Sequence, residues 1–247
     1  MRVVTPEGFS PQVWRPIIDG ADCITVGELA AHGTGTLVVL GAHPDDETIG
    51  AGRLIAHWAR IIGAVSIVSM SAGEACLDHL DIHLPGLADT RRRELAAAGK
   101  RLGAHRTLCW PVPDGGLTAG LTAVRTHIDE LVRTAAAVAS PWRFDPHPDH
   151  GALGHFAAAS CKRLGTPLLE YPVWSSFWQH PSVLDETGYQ VVRVATDADD
   201  DTARDCALAC YRSQRQPLLA DLTPVVPTAM LAHHERQFLL RPKDSEQ

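Results

Sequence analysis

Five apolar runs recur along the chain, and each of the first four is followed by a polar turn and then by a helical pattern of apolar residues. The runs cover residues 36–41, 64–70, 106–110, 137–144 and 167–173. Nearly continuous apolar runs of this length are typical of strands that are buried on both faces of a parallel sheet. Strands that alternate with helices predict βαβ units. We therefore expect an α/β fold in which a mostly parallel sheet is flanked by helices on both faces.

The helical patterns that connect these runs change in character after residue 175. Helices are predicted near residues 47–62, 87–103, 118–137 and 151–164. Residues 189–196 then alternate apolar and polar side chains in the manner of an edge strand, and residues 201–214 predict an amphipathic helix. The tail from Pro217 is interrupted by prolines and has no clear periodicity.

The first 34 residues differ from the rest of the chain because they contain three prolines, Pro6, Pro11 and Pro16, and show no strand–helix repeat. We interpret residues 1–34 as an N-terminal extension that packs on the domain. Residues 35–247 contain no internal repeat and no linker. A length of 247 residues suits one domain with a full core. The simplest prediction is a single domain over residues 35–247.

Composition excludes several classes of protein. The net charge of −7 and the lack of a basic stripe argue against nucleic-acid binding. No window has the 18 or more apolar residues of a membrane span, and the N-terminus lacks the apolar core of a signal peptide. The six cysteines are scattered without a CxxC pair, which is typical of reduced thiols. We therefore expect a cytoplasmic protein that binds neither a membrane nor nucleic acid; its oligomeric state stays open.

Polar clusters follow four of the predicted strands directly. They are HPDDE at residues 43–47, SAGE at 71–74, PVPDGG at 111–116 and DPHPDH at 145–150. In an open α/β sheet the carboxyl ends of parallel strands share one rim, and binding sites assemble there. The sequence thus predicts a Rossmann-like sheet whose site lies at the carboxyl ends of the strands.

Two of these clusters contain metal-binding side chains at matching spacing. His43 and Asp46 are three residues apart in the first turn of a helix, which places them on one side of that helix. His147 and His150 have the same spacing. Two such turns can supply two imidazole nitrogens and one carboxylate oxygen, the kind of set that holds catalytic zinc. The alternative is that the acids only stabilise the start of a helix, which explains neither His43 nor the second cluster.

The motifs as a group resemble a known family. AHPDDE and HPDH, together with VSMSAGE, TRRRELAAAGKRLGA, PDGGL and CYRSQ in order, resemble the LmbE-like (PIG-L) zinc-dependent N-acetylglucosaminyl deacetylases over residues 35–240. The resemblance implies that His43, Asp46 and His150 bind Zn²⁺, although another divalent transition metal would fit the same ligands. It also implies that Arg91 and Asp114 contact the sugar.

The resemblance further implies roles in catalysis. Asp45 would be the general base, and Asp149 would orient His147 and keep it protonated, so that His147 stabilises the oxyanion. Two positions depart from the family pattern. Ala72 replaces an aspartate of the second polar loop, and Asp145 replaces a tyrosine two residues before HPDH.

The implied activity is that of a zinc-dependent amide (C–N) hydrolase of secondary metabolism. A metal-bound water, with Asp45 as its base, would remove the acetyl group from an N-acetylglucosamine-type sugar, free or on a glycosylated small molecule. An amidase acting on a thiol-sugar conjugate and a non-catalytic metal-dependent binding protein remain alternatives. What carries the sugar is left open. Residues 76–88 would lie over the site or form an ordinary surface loop; Trp174 and Trp178 would wall an aglycone or pack beneath the C-terminal helix.

Overall fold

Eight strands form one sheet in the computed structural model, which describes residues 8–30 and 35–243. In chain order they are β1 (Cys23–Ile24), β2 (Leu37–Gly41), β3 (Val65–Ser69), β4 (Arg106–Cys109), β5 (Ala137–Pro141), β6 (Leu168–Tyr171), β7 (Tyr189–Val194) and β8 (Leu239–Pro242). Across the sheet the order is β1-β7-β8-β6-β5-β2-β3-β4. β8 runs antiparallel to β6 and β7, and the other neighbouring strands pair in parallel.

Helices occupy the connections between the strands. The α-helices are α1 (Arg15–Asp19), α2 (Val26–Leu29), α3 (Asp46–Ile61), α4 (Leu87–Arg101), α5 (Leu117–Gly120), α6 (Arg125–Thr134), α7 (Pro148–Leu164), α8 (Ser175–Trp178), α9 (Val183–Thr187), α10 (Ala198–Leu208), α11 (Arg212–Arg215) and α12 (Thr228–Leu231). Short 3₁₀ turns lie at Pro11–Val13, Asp78–Leu80 and Ala232–His234. None of the helices in the described part of the chain has the length and apolar character that a membrane-spanning segment needs.

The sheet is covered on both faces, as the apolar runs predict. Side chains of β2 alternate between the faces because successive residues of a strand point to opposite sides. Val39 packs in a core with Trp58 of α3 and with residues of α4 and α10. Val38 packs in a second core with Leu153 of α7 and residues of α6. The predicted α/β architecture, a mostly parallel sheet between two layers of helices, is confirmed.

Three predicted elements differ from the observed ones. The helix expected over residues 201–214 is divided into α10 and α11, with residues 209–211 between them. The helix expected over residues 118–137 is divided into α5 and α6 by the turn at 121–124, and β5 already begins at Ala137. An alanine-rich stretch suits both helix and buried strand, so periodicity alone does not separate the two. The expected edge strand is β7, which lies between β1 and β8 and is therefore not at an edge. Its alternation arises because Tyr189 and Val191 are buried while Gln190 is half-buried.

The described part of the N-terminal segment contacts the sheet and its core. β1 pairs with β7, and Trp14 stacks on Phe238 with 5.8 Å between ring centroids. Residues 1–7 and 31–34 lie outside the described residues, so the domain boundary at residue 34 stays a prediction.

The strand order creates a crevice at one point of the sheet. β3 and β4 follow on one side of β2, whereas β5 and β6 follow on its other side. The chain thus reverses its direction of progress between β2 and β5. In open α/β sheets ligands bind at the carboxyl ends of the strands at such a switch point. The cluster at 43–47 follows β2 and the cluster at 145–150 follows β5, so the topology brings both to this crevice.

Candidate functional site

His43, Asp46 and His150 meet at the crevice. His43 Nδ1 lies 3.3 Å from His150 Nε2 and 3.6 Å from Asp46 Oδ2, and His150 Nε2 lies 3.2 Å from Asp46 Oδ1. A tetrahedral ion with ligands at about 2.0–2.1 Å separates those ligands by about 3.4 Å. Each pair of these side chains therefore has a spacing that fits one shared ion, with Asp46 facing the two histidines through different oxygens. The same two histidines also form a group with His147 in which one ring nitrogen of each lies within 4.8 Å of the others.

The turn between β2 and α3 is held by Asp46 itself. Asp46 Oδ2 accepts hydrogen bonds from the backbone N–H groups of Ala42 and His43, both at 2.9 Å. This leaves Oδ1 directed at His150. On the other side of the crevice, Pro148 occupies the first position of α7, where its fixed φ favours helix initiation. His150 consequently lies in the first turn of α7 and faces Asp46.

Asp145 orients His150 from behind. Its Oδ1 lies 3.0 Å from His150 Nδ1, and its Oδ2 accepts from the N–H groups of residues 173–175 and from the Ser175 hydroxyl at 2.7–3.1 Å. Burial opposes charge on the imidazole, but the carboxylates of Asp46 and Asp145 outweigh it and raise the pKa of His150 to about 9. Sequence reasoning treated Asp145 only as a missing tyrosine and missed this contact.

Asp114 and Asp149 surround the other nitrogen of His43. His43 Nε2 lies 3.0 Å from Asp114 Oδ1 and 3.4 Å from Asp149 Oδ2. Asp149 also accepts from the N–H groups of Gly115 and Leu117 at 2.8 and 3.3 Å. Burial opposes charge on His43, yet these acids hold its pKa well above the usual value. Asp149 thus orients His43, and not His147 as the resemblance implied.

His147 lies beside the cluster without an acidic partner of its own. Its ring stacks on His150, with centroids 4.4 Å apart, and meets His43 edge-on at 5.0 Å. Its Nδ1 is buried and has no hydrogen-bond partner in the part of the chain that the structure describes. Burial and the charges of His150 and His43 lower the pKa of His147 to about 3. This is opposite to our expectation of a protonated His147, because the neighbouring histidines take the positive charge.

Asp45 has an unusual backbone and an unpaired carboxylate. Its φ is 123°, in the left-handed region that residues other than glycine rarely adopt. The side chain is buried, and Oδ2 has no hydrogen-bond partner within residues 8–30 and 35–243. Burial, with the charges of Asp46 and Glu47, raises the pKa of Asp45 well above its usual value, while Arg91 acts in the opposite direction.

Glu47 stabilises this conformation of Asp45. It is fully buried and accepts hydrogen bonds from the Tyr211 hydroxyl, from the Thr48 hydroxyl at 2.6 Å and from the backbone N–H of Asp45 at 3.2 Å. Sequence analysis did not find this role of Glu47. The tyrosine of the CYRSQ motif was the sequence signal that could have indicated this contact, because a buried glutamate needs a hydrogen-bond donor.

A pocket of about 280 Å³ opens over the cluster. Its lining includes a group of polar side chains, which we call the polar half: His43, Asp45, Asp46, Arg91, Asp114 and His147. Arg91, from α4, is buried; it donates to the carbonyl of Gly73 and lies 3.4 Å from Cys76 Sγ. Asp114 accepts from the N–H of Ala75 at 2.8 Å. Both predicted sugar-binding residues therefore lie in the wall of the pocket that contains the histidine–aspartate cluster.

The lining also includes apolar side chains, which we call the apolar wall: Leu80, Trp174, Trp178, Leu222, Val225 and Val226. The two indole rings stack at 4.3 Å with an angle of 14° between their planes. Residues 76–88 were expected either to lie over the site or to form an ordinary surface loop. Residues 76, 77, 79 and 80 line the pocket, which fits the first interpretation. The segment 222–226 was not predicted as part of a site because the proline-interrupted tail from Pro217 has no periodic pattern.

The surroundings of the two histidines fit a bound metal. A ligating histidine usually donates its other ring N–H to a carboxylate, which fixes the tautomer. His43 and His150 both have this arrangement, because Nε2 of His43 faces Asp114 and Nδ1 of His150 faces Asp145. The negative charge of the surrounding carboxylates, which favours protons on both imidazoles, also favours a cation between them. With Asp46, they offer the two-nitrogen, one-oxygen set of a catalytic zinc site.

Comparison with known proteins identifies the family of this chain. The profile of the PIG-L family, described as GlcNAc-PI de-N-acetylase, matches residues 38–161, half of the chain. A deacetylase of Streptomyces avermitilis that acts on 1D-myo-inositol 2-acetamido-2-deoxy-alpha-D-glucopyranoside is 29% identical over 197 residues, or 64% of this chain and 66% of that protein. A protein of the same name from Salinispora arenicola is 42% identical over 71 residues, or 28% of this chain and 20% of that protein.

The matched region thus covers just under two thirds of the Streptomyces protein and a fifth of the Salinispora protein. Among solved structures, the A40926 pseudoaglycone deacetylase Dbv21 superposes with a TM-score of 0.60 at 17% identity, covering 85% of this chain and 98% of that one. At this identity the likeness concerns the fold alone. The family match, by contrast, covers half of the chain and spans both histidine–aspartate clusters. The chain belongs to the PIG-L family of GlcNAc-PI de-N-acetylases.

Proposed function

We propose that this protein is a metal-dependent hydrolase that removes the acetyl group from an N-acetylglucosamine-type sugar. One observation carries the proposal: two histidines and one aspartate are spaced for a single ion, and the unpaired carboxylate of Asp45 lies next to them in a pocket. Membership of a deacetylase family supports the acetyl group as the part that is removed.

We propose His43, through Nδ1, Asp46, and His150, through Nε2, as the metal ligands. Zinc is the metal that best fits this set, although other divalent transition metals accept the same donors. A bound zinc ion would supply a Lewis acid that polarises the amide carbonyl and brings a water molecule to a pKa of about 7.

Asp45 is the proposed general base. Its Oδ2 is buried, has no other partner in the described residues and lines the pocket, so it is free to accept the proton of the attacking water. The amide C–N bond then breaks, acetate leaves, and the proton taken by Asp45 passes to the departing amine. A raised pKa suits both steps, since the carboxyl must first accept a proton and then return it.

His147 is the proposed oxyanion partner. Its ring lies in the pocket wall beside the ligands, and an imidazole offers an N–H donor in its neutral as well as in its charged form. We assign Asp149 the positioning of His43. Arg91 and Asp114 are the proposed contacts of the sugar hydroxyls.

Acetate release from N-acetylglucosaminides by the zinc-loaded protein tests the proposal. Asp45→Asn should retain the metal and lose at least a hundredfold in kcat, because an amide cannot accept the proton. Asp89→Asn, on the exposed surface of α4, is the matched control and should behave as the parent. Near-parental turnover by Asp45→Asn would refute the assignment of the base, and failure to release acetate from any such sugar would refute the function.

Two alternatives are distinguished by the same experiment. An amidase acting on a thiol-sugar conjugate would use the same side chains but would cleave a different acyl group, so it would spare simple N-acetyl sugars. A non-catalytic binding protein has no need of Asp45 beside a ligand set, and it would release no acetate. The cytoplasmic location rests on the scattered cysteines and remains part of the proposal.

A further inference from the structure

The pocket has an apolar half that the proposed chemistry does not use. An acetamido sugar presents hydroxyls, which the polar half can bind through Arg91 and Asp114. The apolar wall, by contrast, carries aliphatic and aromatic side chains on three separate segments of the chain. Of the residues that segments 77–80 and 222–226 contribute to the pocket, those with polar side chains are His79 and Thr223.

Asp145 links the apolar wall to one of the proposed metal ligands. Asp145 holds the backbone N–H groups of residues 173–175 with one carboxylate oxygen and His150 with the other. Trp174 is therefore attached to the same side chain that orients a proposed metal ligand. Trp178 stacks on Trp174 and is half-buried. These rings line the same pocket as His43 and Asp46, so a group bonded to the sugar would share that pocket with them.

Segments 77–80 and 222–226 add further apolar side chains to the lining. Val226 is buried, whereas Leu222 and Val225 are half-buried. Leu80, on the 3₁₀ turn Asp78–Leu80, has 44% of its surface exposed. Several apolar side chains that share one pocket form the kind of contiguous apolar surface that marks a ligand-binding groove.

We propose that the apolar wall is a subsite for an apolar carrier group, an alkyl or aryl aglycone, attached to the amino sugar. This inference rests on the proposed function and specifies its substrate class. A polyol carrier such as inositol would lose water from its hydroxyls against side chains that offer few hydrogen bonds, which is unfavourable. An alkyl or aryl group would instead gain by leaving water. The carrier is therefore expected to differ from that in the names of the curated relatives.

Three glycosides of N-acetylglucosamine test the subsite on the zinc-loaded protein: methyl, octyl and inositol. The octyl glycoside should exceed the other two in kcat/KM by at least tenfold, mainly through KM. Trp178→Ala should reduce the octyl-to-methyl ratio of kcat/KM about tenfold, and Trp178→Phe should largely restore it. Trp110→Ala is the matched control, because Trp110 is half-buried and packs on His127 outside the pocket lining.

A second variant and a binding measurement keep the test independent of folding and of turnover. Leu80→Asp replaces an exposed side chain, so the fold should be retained while the octyl preference falls. Calorimetry with octyl and methyl glucosaminide, the deacetylated products, should show tighter binding of the octyl compound and a negative heat-capacity change. If no glycoside is deacetylated but octyl binding is favoured, the function fails and the subsite stands. Equal kcat/KM for the three carriers, with equal binding of the octyl and methyl products, would overturn the subsite.

Discussion

Asp145→Asn is the substitution that most directly tests how the site is built. Oδ2 of Asp145 accepts four hydrogen bonds, three from the backbone N–H groups of residues 173–175 and one from the Ser175 hydroxyl. Oδ1 accepts from the backbone N–H of His147 at 3.1 Å and lies 3.0 Å from His150 Nδ1. An asparagine has only one oxygen to meet both groups of donors.

The four donors decide the orientation of the new amide. The asparagine oxygen must face residues 173–175, because turning the NH₂ group toward them would leave four buried donors unpaired. The NH₂ group then faces His150 Nδ1, which must become an acceptor. In that tautomer Nε2 of His150 carries the proton and cannot bind a metal. The substitution thus disables a ligand without changing the ligand itself.

The expected magnitudes follow from this geometry. Loss of a carboxylate that orients a ligating histidine typically weakens metal affinity about 10–100-fold, which is about 1.4–2.7 kcal/mol. Weakening several charge-assisted hydrogen bonds in a buried position should cost about 3 kcal/mol of folding stability. For a domain of this size that corresponds to a fall in Tm of about 6–12 °C.

Competition with a chelator measures the zinc affinity, and thermal unfolding measures the stability. Ser175→Ala is the matched control, since it removes one of the four donors but leaves the carboxylate against His150; its zinc affinity should change less than about threefold. If Asp145→Asn binds zinc as tightly as the parent, then Nε2 of His150 is not a ligand or Asp145 does not set its tautomer.

Two further predictions concern protons. The pKa of His43 is held well above its usual value and that of His150 is raised to about 9, so zinc must compete with protons for both rings. Calorimetric titration in buffers of different ionisation enthalpy should show up to two protons released per ion, and affinity that rises toward pH 9; binding without proton release would contradict this assignment. His234 is buried neutral, with its pKa lowered by burial to about 3 against about 6.5 in an unfolded chain. The unfolded state therefore binds the proton first, and this contribution to stability is complete above pH 6.5 and falls by about 1.4 kcal/mol per pH unit below it. His234→Gln, which can still donate to the carbonyl of Val173, should flatten the dependence of unfolding free energy on pH between 6.5 and 4; an unchanged slope would assign it to other groups.

The central strands were predictable because each is a nearly continuous apolar run within one segment of the sequence. β2 to β6 begin and end within a few residues of the predicted runs. β1 and β8 were not predictable for a different reason. β1 has two residues, and β8 lies in the tail and pairs with β6 and β7, which are distant in the chain. Such pairing depends on tertiary packing, and a local pattern does not record it.

The two histidine–aspartate clusters could be found in the sequence because each is contiguous and follows a strand. The topology then brings His43 and His150 together. The partners of the acids were not predictable in this way. The resemblance implied that Asp149 orients His147, whereas Asp149 contacts His43 from across the crevice. Asp145 contacts His150 because the turn at residues 173–175 holds its other oxygen, and that turn follows a different strand.

Asp145 connects the proposed metal site to the apolar wall. One oxygen faces a proposed metal ligand, and the other holds the backbone from which Trp174 enters the apolar wall. A carboxylate buried with this many donors is costly to remove, so the spacing between His150 and Trp174 is rigid. Carrier specificity can therefore be altered at the outer positions of the wall, such as Leu80 and Trp178, with little effect on the metal. Residues 173–175 do not have that freedom, because any shift of their N–H groups is transmitted through Asp145 to the imidazole that it orients.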